Sequence, residues 1–158
     1  MRTPWNEERL SVMKMLLAFD GFLYSRPALE EAAKIAVEED TRVTVFSVVP
    51  PDARGSKSGG HVGLRPHAHE DVARAHAYLR ERGIESTMRM EHGHPVSEIL
   101  RVAEEGEYDL ILAGSRGRGP IGELVLGSVS KALVHRAPCA VLVVAKDAKA
   151  QFEPAARA

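Results

Sequence analysis

The chain has 158 residues, 44% of them apolar, which suits one domain with a substantial core. Its 21 basic and 22 acidic side chains leave a formal net charge of -1, against a nucleic-acid binder working through a broad basic surface. The single cysteine, Cys139, excludes an internal disulfide, fits a reducing cytoplasm and, inside an apolar run, reads as a small buried hydrophobe.

Residues 1–11 are polar and charged, without the apolar stretch of a signal peptide, and read as an N-terminal extension. No apolar run approaches the roughly 20 residues needed to span a bilayer, so the expectation is a soluble, cytoplasmic protein with no membrane partner. Residues 12–19 (VMKMLLAF) form the first predicted buried strand. Leu29, Ala32, Ala33 and Ala36 then mark one helix face, with Ser25 as its expected cap and Pro27 in its opening turn.

A second buried strand is predicted over 42–49 (RVTVFSVV), followed by a glycine- and serine-rich loop over 50–66, long enough to be functional or disordered. Val72, Ala75 and Leu79 mark a second helix. Residues 84–90 (IESTMRM) alternate like a half-exposed edge strand. Pro95 opens a third helix carrying Val96, Ile99, Leu100 and Ala103. Residues 108–113 read as a buried fourth strand. Val129, Ala132 and Leu133 mark a fourth helix ending before Pro138, and 140–145 (AVLVVA) a buried fifth strand. Residues 146–158 read as a flexible tail.

Alternating β and α units with continuous apolar strands call for a parallel sheet covered by helices on both faces. Five strands suit an open α/β sheet rather than an eight-stranded barrel, and right-handed crossovers favour the order 3-2-1-4-5. Ligands in such sheets sit at the carboxyl ends of the strands where the order reverses, here between strands one and four.

The loops beginning at Asp20 and Gly114 border that crevice. The second runs Gly114-Ser115-Arg116-Gly117-Arg118-Gly119-Pro120 and ends in Gly127-Ser128-Val129-Ser130. Glycines allow close backbone approach, consecutive amides can cradle an anion, and a helix beginning at Gly127-Ser128 adds free amides and a positive dipole end. Ser128 and Ser130 add hydroxyls. Gly117, Gly119 and Gly122 fit a dinucleotide fingerprint literally, but the required acidic residue about 20 positions on is missing. Gly122 and Gly127 have P-loop spacing, yet Ser128 stands where lysine is needed. The segment therefore predicts phosphate binding without strong γ-phosphate activation.

Gly114, Gly117, Gly127 and Ser128 match without a gap the G-x2-G-x9-G-(S/T) motif of the ATP-binding branch of the universal stress protein family, which this chain resembles over about residues 12–145. Residues 15–21 look like the family's first strand and its acidic end, 91–95 like its strand-to-third-helix turn, and 137–144 like its closing strand. The resemblance implies an adenine nucleotide-binding, Rossmann-like fold of the adenine nucleotide alpha-hydrolase type. It further implies an ATP site in which Ala18, Phe19 and Asp20 border the adenosine and Val48 meets adenine through backbone groups. Gly114, Arg116 and Gly117 would approach the ribose and phosphates, while Gly127, Ser128, Val129 and Ser130 hold the phosphates, with any Mg2+ carried on the phosphates. A homodimer through strand 140–145 is implied as well, in keeping with an apolar sheet edge. The sequence departs from the family's usual pattern at Phe22, where a small hydroxyl residue is frequent, and at Ser47, where histidine is.

On these grounds the expected function is a nucleotide-dependent stress-response regulator or sensor, with ATP hydrolysis at most slow because no activating lysine or base stands nearby. The alternatives are a nucleotide-free dimeric interaction module and a nucleotidyl- or phosphotransferase. His67, His69, His76, His92 and His94 read as a solvated surface, not as a metal site.

Overall fold

The computed structural model describes residues 12–21, 25–51, 67–115 and 126–145. The N-terminal extension, the tail, most of the glycine-rich loop, and Arg116 and Gly117 of the motif lie outside these residues. The elements run β1 (Met13–Ala18), α1 (Arg26–Glu38), β2 (Thr41–Val49), α2 (Ala68–Arg80), β3 (Ser86–His92), α3 (Pro95–Glu105), β4 (Leu110–Gly114), α4 (Ser128–Arg136) and β5 (Ala140–Val144). The strands form one parallel sheet in the order β3-β2-β1-β4-β5, as expected.

Successive strand residues point to opposite faces, and the core divides accordingly. Met15, Leu17 and Phe19 join Val43, Val45 and Leu112 beneath Ala28, Leu29, Ala32 and Ala33 of α1 and Val72, Ala75 and Leu79 of α2. Leu16 joins Phe46, Ile111 and Ala113 beneath Ile99, Val102 and Ala103 of α3 and Leu133 of α4. A central strand covered on both sides must be apolar at every position, which is why Met15, Leu16 and Leu17 are all fully buried. The chain lays α1 and α2 on one face, then crosses the sheet and lays α3 and α4 on the other. That change of face puts the reversal of strand order between β1 and β4.

Three strands differ from expectation, two in their bounds and one in its burial. β3 starts two residues late and ends at His92, because its pairing with β2 continues to Val49↔His92. Ile84 precedes it in a turn, buried with its amide bonded to the Leu79 carbonyl. β4 begins at Leu110 and takes in Gly114, which pairs with Val144. β5 is not a buried strand: Ala140 and Leu142 are exposed and only Val144 is buried, since it lies at the sheet edge beside β4 alone.

Candidate functional site

Register assembles the carboxyl rim of the sheet. Ala18 lies opposite Phe46 on one side and Ala113 on the other. The chain therefore leaves β1 through Phe19 and Asp20 beside Gly114, with Val48 two residues beyond Phe46. Ala18 and Val48 are partly buried on the α3/α4 face, and Val129 of the first turn of α4 packs into the same cluster. Three of the expected site residues, distant in sequence, thus share one face and one end of the sheet.

Phe19 belongs to the opposite face. Its side chain is 8% exposed in the α1/α2 cluster and its amide donates to the Phe46 carbonyl at 2.8 Å. With side chain and N–H both engaged, Phe19 can border a ligand only through its carbonyl.

Asp20 stands exposed just past the strand. Its amide donates to Ser25 Oγ at 3.2 Å, and Ser25 Oγ in turn donates to Asp20 Oδ1. Ser25 does occupy the N-cap position of α1, but its side chain makes no capping bond, correcting the expected role. Between them Gly21 has φ +76°, a conformation a side chain disfavours, and a Cβ there would stand 2.4 Å from Oδ2 of Asp71. Ser25 and Asp71 therefore shape the rim although no motif marked them. The sequence marked Ser25 only as a helix cap, and nothing in it marked Asp71.

At α4, Gly127 is the N-cap residue with φ −68° and ψ 166°, ordinary extended backbone. Its value here is the missing side chain, which leaves the first-turn amides unscreened. Ser128 is exposed at the helix start. Ser130 is only 3% exposed and its Oγ donates to the Gly127 carbonyl at 3.1 Å, which engages its proton at the helix end. Ser115, after β4, is buried, and its amide holds the Val144 carbonyl at 2.9 Å.

The β3 side of the rim is charged. Glu91, opposite Val48, takes two bonds from Arg89 at 2.9 and 2.8 Å, and Arg101 approaches it at 3.7 Å. Arg89's hydrogen bond holds the Glu91 carboxyl below its ordinary range against a smaller opposing effect of burial, with the Arg89 and Arg101 charges assisting. Arg101 is itself fixed by Glu98 and Glu105, which raise its already high value. His92 and His94 are exposed at this rim, whereas His76 pairs with Ser86 at 2.8 Å and His67 with Glu70 at 3.2 Å. Among the described residues no group of histidine, cysteine or carboxylate side chains could hold a metal ion.

The model of the universal stress protein family matches residues 12–145, from the first residue before β1 to the residue after β5. This chain belongs to the universal stress protein family. A universal stress protein of Methanocaldococcus jannaschii is 31% identical over 142 residues, covering 86% of this chain and 84% of the relative. Among solved structures, an Arabidopsis thaliana member of the family with AMP bound superposes with a TM-score of 0.65 at 18% identity, covering 91% of this chain and 97% of that one. An Archaeoglobus fulgidus universal stress protein in complex with dAMP gives a TM-score of 0.64 at 19% identity, covering 84% and 97%. Family members of this fold thus bind adenine nucleotides. Among the described residues, no helix is long and apolar enough to cross a membrane.

Proposed function

We propose that this universal stress protein binds ATP at the β1/β4 carboxyl rim and acts as a nucleotide-dependent regulator or sensor in the cytoplasm. The observation that carries this reading is the convergence of Ala18, Val48 and Val129 on one face beside a helix N-terminus opened by Gly127 and Ser128. The apolar wall suits a base, and the amide-rich helix end suits phosphates. Asp20 lies on the β1 side, where a carboxylate can accept from ribose hydroxyls without facing the phosphate charge. Arg116 and Gly117 complete the motif by sequence position. Mg2+ would ride on the phosphates.

ATP binding shifts whichever conformation or partner surface it favours, by as much as its differential affinity allows. Hydrolysis is at most slow, because Ser128 stands in place of a P-loop lysine. Calorimetric titration with ATP, ADP, AMP and cyclic AMP tests the reading. Saturable one-site ATP binding is expected; no binding by any of the four would overturn it.

The same reading includes a homodimer through β5. Leu142 is 37% exposed on this edge strand, and an apolar edge invites pairing with a second copy. Sedimentation equilibrium should give a dimer mass, and a concentration-independent monomer would exclude it.

A further inference from the structure

The use made of Ser25 is unusual for its position. A serine at a helix N-cap ordinarily accepts a bond from an amide of the first turn. Here Ser25 has helical backbone angles, φ −86° and ψ −20°, makes no capping bond, and is 5% exposed. Its hydroxyl instead closes a two-bond ring with Asp20, accepting from the amide and donating to the carboxylate. Both bonds favour one rotamer of an aspartate exposed at the end of a strand. The Asp71 carboxylate of α2 lies against Gly21, the residue that follows Asp20, and brings a like charge to the turn.

We propose that Ser25 is a positioning residue: it locks the Asp20 carboxylate in the orientation that accepts the ribose hydroxyls of the bound nucleotide. The inference rests on the nucleotide site proposed above and assigns that site its sugar selectivity. Ser25 touches no ligand itself. It acts through Asp20, giving up its capping bond and helping to set the carboxylate's orientation before the nucleotide arrives.

The test compares ATP with 2′,3′-dideoxy-ATP on the whole protein, on Ser25→Ala, on Asp20→Ala and on the double variant. Ser25→Ala should weaken ATP about three- to tenfold, the size of one hydrogen bond, and leave dideoxy-ATP unchanged. On the Asp20→Ala background it should change nothing further, since the two residues act as one unit. Equal weakening of both nucleotides, or a loss that adds to that of Asp20→Ala, would make Ser25 merely structural and overturn the inference. If the unaltered protein binds ATP and Ser25→Ala keeps its full sugar discrimination, only this inference falls. If the unaltered protein binds neither nucleotide, the site and the inference fall together.

Discussion

The two rims of the sheet are built on opposite plans. At the amino rim, the Lys14 ammonium donates to the Gly106 carbonyl and stands 5.1 Å from the centre of the Tyr108 ring, while its amide holds Asp109 at 2.8 Å. The Tyr108 hydroxyl donates to Thr44 at 2.8 Å, and Thr44 lies 3.1 Å from Thr87. Lys14, Thr44, Thr87 and Tyr108 there are engaged with one another or with backbone. At the carboxyl rim, Asp20 and Ser128 are exposed, and a glycine opens α4 where a side chain would have screened it. One rim serves the fold and the other is presented outward, so substitutions at the two ends should separate stability from binding.

The largest separation is expected from Gly127→Val. A branched side chain at the α4 N-cap should cost ATP more than about 100-fold in affinity, roughly 2.7 kcal/mol, with about 1 kcal/mol lost from stability. Titration and thermal melting of the same sample check both numbers, and unchanged affinity would break the contrast. Gly106→Ala probes the amino rim: its Cβ would sit 2.3 Å from the Tyr108 ring, and Tyr108 must shift. Denaturant unfolding should show a loss of about 1–3 kcal/mol while ATP affinity stays as in the parent.

Ser128→Ala should weaken ATP by about 0.5–1.5 kcal/mol, more if the bond is to a charged phosphate, without moving the unfolding midpoint. The smallest effect concerns Glu91. A carboxyl held low by Arg89 stabilises the fold above its unfolded value, near about pH 4.3, and loses that contribution as pH falls through the lower folded value. Glu91→Gln should therefore lower stability slightly at neutral pH, where that contribution is complete, and match the parent at the acid end, as urea unfolding across pH would report.

Much of this was legible locally. The unbroken apolar stretches of β1, β2 and β4, separated by helical stripes, imply a parallel sheet wrapped on both faces, and its order follows from crossover handedness. Gly127-Ser128 announced a helix start suited to an anion. Other features were hidden because they depend on neighbours distant in the chain. Ile84 reads as strand by pattern but is buried ahead of β3, with its amide committed to the Leu79 carbonyl at the end of α2. Ser25 reads as a cap until Asp20 competes for its hydroxyl.

The sequence by itself determined the periodicities, and with them the element types, the class of sheet and the end where glycines gather, because hydrophobic spacing and backbone freedom are properties of neighbouring residues. Only the tertiary structure decided which hydroxyls remain for a ligand, which way Phe19 turns, and that Asp71 stands behind Gly21. Those outcomes depend on bonds between groups brought together by folding, and a donor can be committed only once its competing acceptors are in place.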